Sequence, residues 1–370
     1  MINPTQLKLY EDLMILCDTT EVFYYQDVNL DDSIYRIFNY RLASYTDFLR
    51  PNALECRGHM FEIGSNFRLA SWCQHKFFNY LENPMTMNID LSQIDKIEHK
   101  LDGSLISTYL HNNELRLKSK GALFSDQAIA ATQWLDLPEN LEFKTDLYNN
   151  VISEQTVNIE WTSPYNRIVV GYIDPRLFVL NIRNNIDGSY IEITPNHPLF
   201  KYTKPPVDLN GLDKTNFVNN IPNIVDDIEG YVIKLTNGLW MKIKTNKYKQ
   251  LHTIKSNINS PRVLLEAIID ENIDDMRVAF KDDIVAMKII DEMQIRVNHI
   301  YNSMVKEVED FYNINKHLER KEFAIKGQAE LDKRYFGLVM SKYQDKDPQY
   351  KQYLKSKWKS FGFKDEQIDE

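Results

Sequence analysis

Between residues 20 and 250, apolar and polar positions mostly alternate; beyond residue 260, apolar positions recur three or four apart. The first spacing puts successive side chains on opposite faces of a strand, and the second gathers them on one face of a helix. The clearest hairpin joins residues 231–236 to 239–244 through Asn237-Gly238, a pair suited to a type I′ turn with positive φ at both positions. Alternation then places Lys242 and Lys244 on one face, with Met241 and Ile243 on the other. A second hairpin runs from residues 104–110 through Asn112-Asn113 to residues 115–120, with Lys118 and Lys120 sharing a face. Residues 157–161, 167–172 and 177–183 read as further strands.

Helical signals bracket this region. Asn3 can cap a helix with Pro4 in its first turn and an apolar stripe of Leu7, Tyr10, Leu13, Met14 and Cys17. Ser260-Pro261 reads as another helix start. A long helix is predicted after Asp282-Asp283, with Ile290, Met293, Val297, Ile300, Met304, Val308 and Phe311 along its apolar face. A further helix is predicted over residues 330–343. The last segment sets Lys351, Lys355, Lys357 and Lys359 around Tyr353, Leu354 and Trp358, either a basic nucleic-acid-facing surface or a soluble helix. A boundary at 245–260 divides the chain into an α+β domain (1–250) and an all-α domain (251–370).

Composition agrees with this division. A chain of 370 residues is long for one core, and 43% hydrophobic with 26% charged residues describes a soluble globular protein. Three cysteines with no CxxC pair fit a reducing compartment. No basic leader or membrane-length apolar run is visible, so the expected location is cytoplasmic. The net charge of −9 means that any nucleic-acid contact must use locally focused positive charge. The histidines show no zinc spacing.

The candidate chemistry lies at Lys100-Leu-Asp102-Gly103. A lysine is protonated at neutral pH unless burial or neighbouring cations favour the neutral amine. The pairs Lys118/Lys120 and Lys242/Lys244 supply such cations, and a cationic cluster suits a nucleoside triphosphate. A neutral Lys100 could then attack phosphorus. Neither GxxxxGK[ST] nor GxGxxG occurs, so phosphate recognition would rest on lysine and arginine side chains.

Further segments follow in order: Asn158-Ile-Glu160-Trp161, Leu180-Asn-Ile-Arg183, Glu229-Gly-Tyr-Val232 and Met241-Lys-Ile-Lys244. With Lys100-Leu-Asp-Gly, this set resembles motifs I, III, IIIa, IV and V of the covalent nucleotidyltransferases, the superfamily of polynucleotide ligases and capping enzymes. Residues 35–40, 54–58, 76–79, 82–90, 117–121 and 166–169 narrow the resemblance to the RNA ligase 1 family of T-even bacteriophages. Leu101 occupies a position that is often polar in that family.

The resemblance implies an N-terminal nucleotidyltransferase domain of ATP-grasp-like antiparallel sheets with helices, followed by an all-helical domain serving tRNA or RNA specificity. It implies that Lys100 takes AMP from ATP, passes it to an RNA 5′-phosphate, and that a 3′-hydroxyl then displaces it. Tyr40, Arg57, Lys76, Glu160, Lys242 and Lys244 match ATP-binding positions. Asp102, Gly103, Lys118, Lys120 and Glu229 match further essential positions, and Glu160, Glu229 and Asp274 match positions linked to Mg²⁺, with Mn²⁺ as an alternative ion. The implied substrate is a tRNA nicked in its anticodon loop, with functional pairing to an end-healing kinase/phosphatase, no membrane and a monomeric enzyme. The competing expectations are a DNA ligase or capping enzyme, and a noncatalytic RNA-binding protein with a ligase fold. No OB-fold pattern follows motif V, which weighs against the first, and retention of Lys100, Glu160, Glu229, Lys242 and Lys244 weighs against the second.

Overall fold

The computed structural model describes residues 3–64, 67–164, 170–250, 258, 260–270, 273, 276–277, 280 and 283–363. The chain forms two compact units, Met1–Lys249 and Gln250–Glu370.

The first unit opens with α1 (Pro4–Thr19), whose Asn3 side chain accepts from the Thr5 and Gln6 amides. Its buried residues include Leu9, Leu13 and Leu16. The expected stripe is therefore rotated: Leu7 is exposed, while Tyr10, Met14 and Cys17 are only partly buried. An antiparallel sheet follows, of β1 (Phe23–Leu30), β2 (Ser33–Tyr40), β3 (His59–Ile63) and β4 (Arg68–Ser71) in that order. Phe23, Phe38 and Phe61 of this sheet share a core cluster with the α1 leucines.

The chain then lays down β5 (Phe78–Asn79) and β6 (Ile94–Lys100) before entering a second sheet of β7 (Ser104–His111), β8 (Glu114–Ser119), β9 (Gln155–Thr162), β10 (Arg176–Asn184) and β11 (Tyr190–Ile191). That sheet has the order β11-β10-β9-β7-β8 and packs against α2 (Asp126–Leu135) and α3 (Leu141–Ile152) through Ile106, Ala131, Leu147 and Ile159. After α4 (Lys214–Asn220), β12 (Gly230–Leu235) and β13 (Trp240–Lys244) return to complete a third sheet of order β5-β13-β12-β6.

The third sheet sets the site. One face, carrying Ile97, Ile233, Met241 and Ile243, is buried with Val218 of α4. Strand alternation therefore turns Lys100, Lys242 and Lys244 to the other face, where each is only partly buried.

Both hairpins exist, but the left-handed two-residue turn lies at 112–113 and not at 237–238. Asn112 and Asn113 have φ of 49° and 60°, between the paired residues His111 and Glu114. They form the two-residue, left-handed loop expected of a type I′ turn. At 237–238 only Gly238 has positive φ (83°), and its amide donates to Leu235 O at 3.0 Å. That loop is a turn closed by a left-handed glycine, not a type I′ turn. The strand expected over 167–172 is also absent from its described part, since residues 170–172 are irregular; residues 167–169 lie outside the described residues.

The second unit is helical where described. It contains α5 (Pro261–Ile269), α6 (Ile284–Asn315), α7 (Arg320–Glu330), α8 (Phe336–Tyr343) and α9 (Tyr350–Ser356). Ser260 and Asp283 cap α5 and α6 through the Val263 and Ala286 amides. The predicted α6 stripe is buried apart from Ile300, which is half-buried. The single helix expected over 330–343 is broken: Asp332 accepts from the Arg334 amide at 2.9 Å, and a turn precedes α8. A side chain that bonds its own backbone two residues on competes with helix propagation. No helix among the described residues is long and apolar enough to cross a membrane.

Candidate active site

Three neighbouring strands assemble the centre of the site. Gly230 on β12 pairs with Lys100 on β6 and with Lys244 on β13. The preceding residue, Glu229, therefore stands between two lysines more than a hundred positions apart in sequence from one to the other. Its Oε2 lies 2.8 Å from Lys100 Nζ and its Oε1 lies 2.9 Å from Lys244 Nζ. Glu229 is 3% exposed, and the two lysines retain 22% and 25% of their side-chain exposure. Glycine is required at 230: its φ is 152°, and a Cβ there would lie 1.9 Å from Ile243 O.

The turn from Lys100 into β7 carries Asp102 and Gly103. Asp102 is 1% exposed; its carboxylate accepts from the Tyr248 hydroxyl at 2.8 Å and the Val170 amide at 2.7 Å, while its own amide donates to the Tyr172 hydroxyl at 3.0 Å. These bonds fix the backbone that presents Lys100. A Cβ on Gly103 would meet Trp161 O at 2.2 Å, so β7 approaches β9 closely here. The Tyr248 ring also packs under Lys244 at 4.8 Å. Burial pushes the Tyr172 phenol up to about 12; Tyr248 is pushed up first by burial and then by the Glu229 and Asp102 charges. Tyr172 and Tyr248 were not anticipated from the sequence, where they are two tyrosines among 21.

Glu160 on β9 pairs with Leu105, at the start of β7. Burial raises its carboxyl to about 7; the Lys100 charge opposes this shift, the Glu229 charge adds to it, Arg57 opposes it and Asp102 adds to it. Lys242 shows the converse behaviour. Burial lowers its ammonium to about 7, with Lys76, Lys100, Lys244 and Arg57 all adding repulsion. Lys100 is held by Glu229, while Lys242 is shifted first by burial and then by the cations around it.

Lys76 continues the cationic group towards the first sheet. Its Nζ lies 5.7 Å from the Tyr40 ring and 5.2 Å from the Phe78 ring. Lys120 Nζ also lies 5.7 Å from the Tyr40 ring. Arg57 donates to Gln74 O at 3.4 Å, which leaves most of its guanidinium hydrogens for another acceptor.

Lys118 departs from its expected surroundings. It has 0% exposure, and its Nζ donates to Gly58 O at 2.7 Å and Ser119 O at 3.2 Å. It braces the residue after Arg57 from within the protein. Lys120 is exposed and lies beyond the end of β8, so the two lysines do not line a common strand face.

A buried polar network supports the segment that carries Lys76. Arg183 Nη1 lies 2.7 Å from Glu55 Oε2 and donates to Cys73 O at 3.1 Å. The guanidinium is 4.7 Å from both the Trp72 and Tyr190 rings. Burial works to raise the Glu55 carboxyl, but the contacts with His59 and Arg183 outweigh it and hold the group well below its ordinary range. His59 Nε2 lies 2.7 Å from Glu55, although neither ring nitrogen has hydrogen-bond alignment. Burial lowers the His59 pKa, so proximity to the carboxylate does not offset its desolvation. Arg183 is marked in the sequence by its motif, whereas Glu55 carries no sign there of its pairing with Arg183. Asp274 lies outside the described residues, and no cluster of three or more His, Cys, Asp or Glu able to hold a metal occurs among the described residues.

With this geometry in place, two family models match the chain. One, described as RNA ligase, covers residues 55–251, and the other, described as T4 RNA ligase 1, C-terminal domain, covers residues 255–361. The chain belongs to the T4-type RNA ligase family. It is 26% identical over 301 residues to a putative bifunctional polynucleotide kinase/RNA ligase of Autographa californica nuclear polyhedrosis virus, an alignment covering 76% of this chain and 42% of that protein. It is also 26% identical over 281 residues to RNA ligase 1 of Bacteriophage TS2126, covering 72% of this chain and 67% of the phage protein. The chain thus spans less than half of the viral relative and about two thirds of the phage relative. Among solved structures, a mutant Naegleria gruberi RNA ligase with AMP and Mn is 15% identical, with a TM-score of 0.38 and coverage of 50% of this chain and 61% of that one. A putative ATP-dependent DNA ligase from Aquifex aeolicus is 13% identical, with a TM-score of 0.40 and coverage of 88% and 89%. Neither score is high enough to bear on function.

Proposed function

We propose that this RNA ligase is ATP-dependent and joins RNA 5′-phosphate to 3′-hydroxyl ends through AMP held on Lys100. The observation that carries the reading is the Lys100–Glu229–Lys244 bridge, flanked by Lys242 and Glu160. In the first step the Lys100 nitrogen bonds the α-phosphorus, the bond to the β-phosphate oxygen breaks, and pyrophosphate leaves. The ammonium must first lose a proton, and Glu229 Oε2 at 2.8 Å is placed to accept it. Lys244 and Lys242 face the charge that builds on the phosphate oxygens, and Arg57 and Lys76 extend that field towards the β- and γ-phosphates. In the second step an RNA 5′-phosphate oxygen attacks the adenylate phosphorus and the bond to Lys100 breaks. In the third, a 3′-hydroxyl attacks the activated RNA phosphate and AMP leaves.

A divalent cation fits part of this donor set. Glu160 is an incompletely compensated carboxyl whose ionisation a cation would favour. Both Glu229 oxygens are engaged by lysines, so Glu229 fits less well as a direct ligand. When bound with nucleotide, Mg²⁺ or Mn²⁺ would supply charge neutralisation to the phosphates, with Glu160 holding it directly or through water.

The N-terminal unit is the adenylyltransferase on this reading, and the helical unit serves RNA specificity, with nicked tRNA as the substrate. The test is incubation with α-labelled ATP and Mg²⁺. Label should appear on the denatured chain as an acid-labile adduct and vanish in Lys100→Ala. Absence of the adduct, or its survival in that variant, rejects the mechanism. A preference for nicked duplex DNA over 5′-phosphorylated RNA would assign a DNA ligase instead, and preference for GTP a capping enzyme.

A further inference from the structure

In-line displacement constrains where the RNA must come from. In the first step pyrophosphate leaves from the side of the α-phosphorus opposite Lys100. In the second step Lys100 is itself the leaving group, so the RNA 5′-phosphate must attack from that same opposite side. The side chains proposed to receive pyrophosphate, Arg57 and Lys76, the latter 5.7 Å from the Tyr40 ring, therefore mark the approach of the RNA terminus. This inference rests on the ligase reading above.

Beyond Tyr40 lies the open edge of the first sheet. β1 is the edge strand, and Phe23 pairs with Tyr40 and Tyr24 with Asn39. Side chains of directly paired residues share a face, so Tyr24 lies beside Asn39, whose amide nitrogen donates to Lys120 O at 3.3 Å. Arg41 follows Tyr40 and places its guanidinium 5.7 Å from the Tyr24 ring. Tyr24 is 37% exposed, and Arg41 is also exposed.

The neighbouring pair, on the opposite face of the same edge, provides an internal control. Arg36 sits 3.9 Å from the Tyr25 ring, but it is held by Asp27 through bonds of 2.8 and 2.7 Å and by the Tyr10 hydroxyl at 2.7 Å. That arginine is committed to the fold. The Arg41 side chain makes one hydrogen bond, from Nε to Glu21 O at 3.3 Å, and pairs with no carboxylate among the described residues. An exposed aromatic face beside an uncommitted guanidinium suits single-stranded nucleic acid, whose bases stack and whose phosphates pair with arginine. The pair lies on the Asn39 face of the sheet, opposite the Tyr40 side chain, and the Asn39 bond to Lys120 O ties it to the residue whose Nζ lies 5.7 Å from the Tyr40 ring, so it flanks the approach of the phosphorylated strand.

We propose that Tyr24 and Arg41 seat the 5′-terminal nucleotides of the phosphorylated RNA, with a base stacked on Tyr24 and a backbone phosphate against Arg41. A charge that merely discourages edge-to-edge strand pairing is the plain alternative for Arg41.

The full chain distinguishes the two. Wild type, Tyr24→Ala, Tyr24→Trp and Arg41→Ala are charged with labelled ATP, then chased with a 5′-phosphorylated oligoribonucleotide carrying a normal or an abasic 5′-terminal nucleotide. All four should form lysyl-AMP equally. Tyr24→Ala should raise the KM for the normal oligonucleotide about tenfold, and Tyr24→Trp should retain wild-type KM. The abasic substrate should cost the wild type a similar factor and cost Tyr24→Ala nothing more. Arg41→Ala should lower the slope of log affinity against log salt by about one. Equal KM values for wild type and Tyr24→Ala, or equal abasic penalties in both, overturn the proposal while leaving the ligase reading intact. Failure of the wild type to form lysyl-AMP removes the reading itself, and the proposal with it.

Discussion

The open face of the third sheet and the seam between the first and second sheets both hold strand-borne lysines, yet they use them in opposite ways. On the open face, Lys100 and Lys244 share one carboxylate and Lys242 is crowded by cations, so the charges remain available to a polyanion. In the seam, Lys118 is sealed from solvent and spends its donors on Gly58 O and Ser119 O. A Lys-x-Lys pattern on a strand thus does not disclose whether a lysine faces substrate or braces a backbone. What packs over that face decides it.

Glu229 gives the largest test of this contrast. Glu229→Ala should lower the rate of lysyl-AMP formation by about 10²–10⁴-fold, in the range expected for a lost proton acceptor, and Glu229→Gln should come close to it. A pulse with labelled ATP reads the rate directly. An effect within a factor of three would mean that the bridge is only a resting contact.

The next test exchanges the two regions. Lys118→Met should reduce stability by about 1–3 kcal/mol, because Gly58 O and Ser119 O lose a buried donor. Lys242→Met should not destabilise the fold, since it removes a desolvated and repelled ammonium, yet it should slow adenylylation. Urea unfolding and the adenylylation assay on both variants give a two-by-two outcome. A destabilised Lys242→Met with a stable Lys118→Met would invert the assignment.

Much of this difference was readable beforehand, and the unread part has a common cause. Alternation in β13 placed Lys242 and Lys244 together and away from Ile243, and the motif order joined them to Lys100 and Glu229. Strand pairing then accounts for their approach through Gly230. The same alternation failed for Lys118 and Lys120, because β8 ends at Ser119 and the Gly58 backbone, just before β3, takes the Lys118 ammonium. The stripe of α1 was misplaced for a related reason: Gln6 and Asp12 are buried through hydrogen bonds, to Asn185 O for Gln6 and from Asn52 for Asp12. Hydrophobicity alone rejects both residues from the core. The split between α7 and α8 followed Asp332, a local polar competitor inside an otherwise helical pattern. Tyr248, Tyr172 and Glu55 act through partners distant in sequence, so no local period marks them.

The smallest effect expected is a signature in pH. Glu160 is raised from 4.5 to about 7, so the folded protein binds more protons than the unfolded chain between those values. Stability therefore falls as pH rises through that window. Lys242 is lowered from 10.5 to about 7, so above pH 7 the unfolded chain binds the extra proton and stability rises towards pH 10.5. The two groups together should leave a shallow minimum near pH 7 on the broader stability profile of the protein. Subtracting the profile of a Glu160→Gln, Lys242→Met double variant isolates that dip, and melting curves at matched ionic strength from pH 5 to 9 should show it. A difference profile that is flat would mean that both groups keep ordinary ionisation in the folded state. The open face would then be less strained by its own charges than its geometry indicates.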